Sequence, residues 1–297
     1  MPKEPLLVNL HIPFCPGRCV CCEEAIVGQN AGYLPRYLLA LEKEIAAAAE
    51  DMADYRLRSV HLRPDCLSLL DAGVLDNLLG KLEALLPADT ETEWVVEAMP
   101  GDLSPELLFV LQKRHHVGRI VLELLGSTRA ELSALHRPYT ENVAQAALRQ
   151  LAEQPVKGLD IAYFIGVPGQ TPEALAERLT ALLPLEPGQI SLKRFHDKRL
   201  SPAAQREYAE ETDWAAFIMA ARDALGAGGY ERAGRSLHFT RQGGLRFENS
   251  PEAAGCAVMG FGPGAVTSLE GLRYRNTLDY GLYLEHSDDP SVIAQLL

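Results

Sequence analysis

Six short apolar runs of strand character alternate with longer stretches at helical spacing between residue 5 and about residue 195, and no other feature restricts the fold as strongly. "LLVNLHI" precedes "YLPRYLLALEKEIAAAAEDM", and "RSVHL" precedes "LDAGVLDNLLGKLEALL", where Asp71 is placed to cap the helix. "EWVVEAM" precedes "LSPELLFVLQKRH", with Ser104 as cap and Pro105 in the first helical position. "RIVLELL" leads into "TRAELSALH" and "NVAQAALRQLAEQ", "LDIAYFIGV" leads into "TPEALAERLTALL", and "QISLKRF" ends the series. Strands that alternate with helices pair in parallel through right-handed crossovers. The chain therefore reads as an α/β protein whose residues 1–195 form a partial (β/α)6, TIM-like barrel. Residues 196–297 read as a C-terminal extension packing on the open side of that barrel, opening with one long helix over 202–230.

Four of the six cysteines fall together in "CPGRCVCC", directly after the first strand. No uninterrupted apolar run in the 297 residues approaches membrane-spanning length, and "MPKEPLLVNL" lacks the pattern of a signal peptide. The expected compartment is the cytosol, with no membrane partner. Thiols stay reduced there, so a tight cysteine cluster points to metal more than to disulfides. A formal net charge of -12 leaves no basic face to neutralise phosphates, which argues against nucleic-acid binding. Cys15, Cys19 and Cys22 have the spacing CxxxCxxC, with Cys21 as an extra neighbour. Three thiolates on one loop suit a [4Fe-4S] cube with one iron left without a protein ligand. The same residues suit a zinc site completed by Cys21 or His11, or plain buried thiols. The loop follows a strand, and in α/β folds ligands collect beyond the carboxyl ends of strands.

"HIPFCPGRCVCC" resembles the N-terminal signature of the radical SAM superfamily. More narrowly it is similar to the oxygen-independent coproporphyrinogen III oxidase family, including its haem-chaperone branch. The resemblance continues in family order through "VEAMPGDLSPE", "HRPYT", "GVPGQT", "ISL", "GYE", "GFGPGA" and "LRYRNT", and spans nearly the whole chain. The family's further C-terminal domain is expected to be missing. The resemblance implies a barrel of the radical SAM type and a [4Fe-4S] cluster on Cys15, Cys19 and Cys22. S-adenosylmethionine would chelate the open iron, and an electron from a reductant protein would cleave it to a 5'-deoxyadenosyl radical. Glu97 of "VEAMP" would then lie near the methionyl group, and Arg137 of "HRPYT" would pair with its carboxylate, a contact suited to a planar guanidinium. The implied function is an oxidoreductase acting on an anionic small molecule, with porphyrin or haem as the ligand class. The runner-up is a non-catalytic family member carrying an iron-sulfur cluster or haem, and the third reading is a zinc-stabilised scaffold.

The chain also departs from the family pattern. "RPDCL", Arg63 to Leu67, replaces a glycine-rich GGGTP segment; Arg63 adds bulk there and Pro64 removes a donor. Asn9 stands where the family has a cofactor-contacting tyrosine, Leu125 where it has a glutamine and Ala162 where it has a ribose-binding aspartate. Glu123 and Asp160 lie on the same strand faces as the last two and are expected to take over the ribose hydroxyls in a shifted pocket. "KRFHDKR" brings Lys193, Arg194, Lys198 and Arg199 to the barrel mouth, where they would steer an anionic substrate. "ENSPE" keeps Asn249 of the family's haem motif but has Glu248 and Glu252 in place of His and Tyr, which speaks against haem ligation there. "GFGPGAV" reads as a tight turn beside the pocket, and Cys66 and Cys256 read as core or near-core thiols.

Overall fold

The computed structural model describes residues 3–17, 19–22, 32–241, 246 and 256–297. Strands β1 (Pro5–Ile12), β2 (Arg56–Pro64), β3 (Glu93–Ala98), β4 (Arg119–Leu125), β5 (Leu159–Ile165) and β6 (Gln189–Arg194) lie side by side in that order, each pair parallel. Helices cross back between them, among them Leu34–Ala47, Ala72–Leu85, Glu141–Glu153 and Pro172–Leu182. The sequence marks several helix starts correctly: Asp71 accepts from Val74 N, Ser104 from Leu107 N and Thr171 from Ala174 N. One face of each strand is apolar. Leu6, Val8, Leu10 and Ile12 join Leu62, Val96, Ile120, Ile161 and Ile190 in a buried cluster with Leu41, Ile45, Leu75 and Leu79 of the helices. Each such side chain contributes about 1.5–3 kcal/mol, and a one-residue slip would turn it to the wrong face. The alternate positions, including Asn9, His11, His61, Arg63, Glu97, Glu123 and Lys193, therefore share the concave face. This is the partial TIM-like barrel that the alternation predicts.

The C-terminal region is more regular than its sequence suggests. Strands β7 (Glu231–Arg232) and β8 (His238–Thr240) add antiparallel to β6. At the other edge β9 (Ala257–Phe261) pairs parallel with β1, followed by β10 (Val266–Leu269), β11 (Leu272–Asn276) and β12 (Ala294–Leu296). Among the described residues the result is one twelve-stranded sheet. The single helix expected over 202–230 is instead two, Pro202–Glu211 and Trp214–Gly226. Thr212 turns extended, and Asp213 caps the second helix by accepting from Ala216 N at 3.0 Å. The break lets Phe217, Ala221 and Leu225 pack inward while the first helix stays on the surface. The "RQGGLRFENSPEAAG" loop or hairpin, with Glu248, Asn249 and Glu252, falls outside the described residues apart from Arg241, Gln242's preceding neighbour, and Arg246.

One buried carboxylate ties the C-terminal strands to the barrel. Glu44, on the helix Leu34–Ala47, accepts from Gly262 N at 2.9 Å, Asn276 Nδ2 at 2.6 Å and the Tyr283 hydroxyl at 2.6 Å. Gly262 has φ +100, and a Cβ there would come within 2.6 Å of the His11 carbonyl oxygen, so only glycine suits this turn. Burial pushes the Glu44 carboxyl up from 4.5 to about 7, against the three donors that favour its charged form. The folded state thus holds a proton that the unfolded chain releases between those two values. The contribution is fully present below pH 4.5 and lost as pH rises through 7, on the order of 3 kcal/mol in all. In urea denaturation, Glu44→Gln should gain stability relative to the wild type by that order between pH 4.5 and 8; a difference that does not change with pH would contradict the account.

Candidate functional site at the barrel rim

All six parallel strands end at the same rim, and the cysteine loop leaves β1 there. Cys15, Cys19 and Cys21 are buried and Cys22 is half-buried. The loop is fastened by backbone bonds from Val20 N to Leu135 O at 3.2 Å and from Lys198 N to Val20 O at 3.0 Å. Phe14 packs edge-on against Tyr37 and Tyr280 at 5.3 and 6.1 Å. Behind the loop, His11 Nδ1 lies 2.9 Å from the Pro263 carbonyl oxygen and Nε2 lies 3.3 Å from Asp65 Oδ2. Both of these neighbours accept, so whichever ring nitrogen carries the proton is placed to donate to one of them.

The thiols are not equivalent. Cys19 is drawn down to about 6, chiefly because the Cys22 thiol donates to it, with Arg137 Nη1 at 3.4 Å adding charge and a second donor against the cost of burial. Cys22 keeps its proton by that same donation. Burial raises Cys15, and burial together with the Cys19 charge pushes Cys21 up to about 11. Cys66 packs beside Cys15 and Met99 and is pushed up to about 12 by burial and by Asp102, to which its thiol points at 3.6 Å.

A cavity of about 390 Å³ opens beside the loop, lined among others by Cys21, Cys22, Arg63, Asp65, Glu97, Met99, Glu123, Leu125, Arg137, Phe164 and Lys193. That volume lies within the range of about 300–1,000 Å³ typical of small-molecule sites. Glu97 Oε1 accepts from Arg63 Nε at 3.2 Å and lies 3.4 Å from His61 Nε2. Burial works to raise its carboxyl, but Arg63, His61 and Lys193 together hold it below the usual range. Glu123 accepts from Lys193 Nζ at 2.8 Å. Arg137 donates through Nη2 to the Glu123 carbonyl oxygen at 3.2 Å and lies over the Tyr139 ring at 5.0 Å, while its buried Nε has no partner. Leu125 holds a left-handed φ of +53 at a register shift in β4, a conformation uncommon for leucine.

The structure thus brings Cys22, Glu97, Glu123 and Arg137 to one cavity, with Cys15 and Cys19 in the loop beside it. Two expected cofactor contacts are corrected. Asp160 is the second residue of β5, paired with Gln189 at the start of β6, and so stands at the far end of the barrel. Its carboxylate is already engaged by Arg119 Nη1 at 2.8 Å, Arg246 Nη2 at 2.8 Å and Gln189 N at 2.9 Å. Asn9 pairs between His61 and Gly260, below the rim, and does not line the cavity. Of the "KRFHDKR" cations, Lys193 and Arg199 are tied to Glu123 and Asp197, and Arg194 lies over the Trp214 ring at 5.2 Å. Sequence reasoning missed Asp65, His61 and His196. The signal for His61 was there, since it shares a strand face with Arg63, but Asp65 lies in a turn with no period to betray it.

Among the described residues no group of three or more His, Cys, Asp or Glu is placed to grip a single ion. An iron-sulfur cube asks for a different arrangement, with one thiolate on each of three separate irons. One sulfur already drawn to the thiolate state, with two further cysteines in the same loop, is a donor set of that chemistry. In the metal-free protein the ultraviolet thiolate absorbance should rise with a midpoint near pH 6. Cys22→Ala should move this midpoint up toward 9.0, and Arg137→Gln should move it less far; a midpoint indifferent to Cys22→Ala would contradict the assigned donor.

No family model matches the chain. The haem chaperone HemW of Lactococcus lactis is 26% identical over 286 residues, covering 93% of this chain and 73% of that protein. The oxygen-independent coproporphyrinogen III oxidase of Salmonella typhimurium is 26% identical over 207 residues, or 69% of this chain. The chain spans 45% of the length of that oxidase. Among solved structures, coproporphyrinogen III oxidase (HemN) from Escherichia coli, described as a radical SAM enzyme, has a TM-score of 0.78 at 20% identity. The match covers 100% of this chain and 72% of that one, and shows the shared fold. These likenesses make the chain similar to HemN and HemW proteins and give it the fold of a radical SAM enzyme.

Proposed function

We propose that the chain is a [4Fe-4S]-dependent radical SAM enzyme, which cleaves S-adenosylmethionine reductively to act on an anionic substrate of the tetrapyrrole type. A reductant protein would supply the electron, and the expected setting is the cytosol. The observation that carries the reading is Arg137, which lines the cavity, touches Cys19 with one nitrogen and has a buried Nε without a hydrogen-bond partner. A guanidinium so placed is suited to fix a carboxylate next to a cluster held by Cys15, Cys19 and Cys22. When bound, the cluster supplies an electron of low potential and S-adenosylmethionine supplies a sulfonium bond that the electron can break. The chain's own residues bind and shield. Arg137 pairs with the methionyl carboxylate, and the rim acids Glu123 and Asp65 are the acceptors for the ammonium and ribose hydroxyls, while Glu97 near the methionyl group holds Arg63. Met99, Leu125 and Phe164 form an apolar wall that keeps water away. Lys193 and Arg194 give the cavity a cationic side on which substrate carboxylates can rest.

A second reading, a non-catalytic carrier of a cluster or haem, is favoured by one feature: Glu97 is already neutralised by Arg63. The naming of several relatives as haem chaperones is compatible with it. Anaerobic reconstitution separates the readings. The enzyme reading expects about four irons per chain, lost in Cys15→Ala, Cys19→Ala and Cys22→Ala, and 5'-deoxyadenosine on addition of S-adenosylmethionine and dithionite. Full iron with an unmoved EPR signal and no 5'-deoxyadenosine would leave the carrier reading, and a colourless zinc protein would sink both.

A further inference from the structure

The rim carboxylates differ in what already holds them. Glu97 is engaged by Arg63 and faced by His61, and Glu123 is engaged by Lys193. Asp65 lines the same cavity directly after β2, with its backbone N–H donating to the Ile12 carbonyl oxygen at 3.0 Å. Among the described residues its side chain is contacted by His11 Nε2 at Oδ2, and none of them engages Oδ1. His11 is itself fixed at its other nitrogen by the Pro263 carbonyl oxygen. Arg63, near the end of β2, occupies Glu97, while Asp65, directly after that strand, offers a new carboxylate.

We infer that Asp65, rather than Glu97, accepts the α-ammonium of S-adenosylmethionine in this chain, and that His11 is the residue that positions it. The inference rests on the reading of the cavity as an S-adenosylmethionine site. An ammonium approaching Glu97 must displace Arg63 and break a part-buried ion pair. An ammonium approaching Asp65 meets an unengaged oxygen in a carboxylate already oriented by its neighbour. It forms a charge-assisted hydrogen bond and breaks none. The opposite charge of the ligand is also accommodated, because the Arg137 guanidinium lines the same cavity.

Calorimetric titration of the reconstituted holoprotein with S-adenosylmethionine and with its desamino analogue tests this, using iron content to confirm that each variant is intact. Asp65→Asn should weaken S-adenosylmethionine by about tenfold or more and erase the preference over the analogue, whereas Glu97→Gln should change either affinity by less than about threefold. The reverse ranking overturns the inference. So does a wild type that binds the cofactor without distinguishing it from the analogue, a result that leaves the cofactor reading intact. An iron-replete wild type that binds neither compound overturns both. If Asp65→Asn fails to hold its iron, Asp65→Glu serves instead: a weakened amine preference supports the inference and an unchanged one overturns it.

Discussion

Parallel pairing of β1 through β6 is the constraint on which the site depends, because it sends every carboxyl strand end to one rim. The cysteine loop after β1, the turn after β2, Glu97 near the end of β3 and Lys193 near the end of β6 meet there although long stretches of chain separate them. The pairing is fixed by the apolar outer face, where Leu10, Leu62, Val96, Leu122 and Ile161 bury against helices. The same register that buries those residues points the alternate ones inward. A polar barrel interior is thus the other half of the hydrophobic pattern, and it leaves charged groups at the mouth that must settle among themselves.

How they settle decides what the mouth can bind. Glu97 is matched with Arg63 from the neighbouring strand and Glu123 with Lys193 from two strands away, and Arg137 is shared between Cys19, the Glu123 carbonyl and the Tyr139 ring. Those contacts keep Cys19 near the thiolate state without committing every donor of Arg137. Far below, Arg119 and Arg246 bracket Asp160 in a second charged layer that seals the opposite end. The two layers are chemically alike, but only the upper one borders the thiols and the cavity. Position along the strand, more than residue type, separates the candidate site from the structural ion pairs.

Much of this was legible in the sequence, for reasons that can be named. Period-two strands, the caps Asp71, Ser104 and Thr171, and the CxxxCxxC loop after β1 are local signals, and each appears where its pattern placed it. The break at Asp213 was hidden because its flanks both favour helix, and only burial of Phe217 and Ala221 reveals two axes. Strand β9 carries little strand signal in the sequence because its last two residues, Gly260 and Phe261, belong to the "GFGPGAV" segment that reads as a turn. Asp160 shares a strand face with the site, yet parity does not tell which end of the strand a residue occupies; only register against Gln189 does. The Arg63–Glu97 pair crosses from one strand to the next, a contact that no spacing within a single segment encodes.

The account's central claim is that Cys15, Cys19 and Cys22 hold a cubane at this rim, beside the cavity lined by Arg137. Anomalous diffraction at the iron edge from anaerobically grown crystals tests it most directly. The predicted result is a compact multi-iron peak at the loop, with each of the three sulfurs bonded to a different iron and one iron facing the cavity. A single tetrahedral ion shared by these sulfurs, or a loop without iron in protein that had been reconstituted, would contradict it.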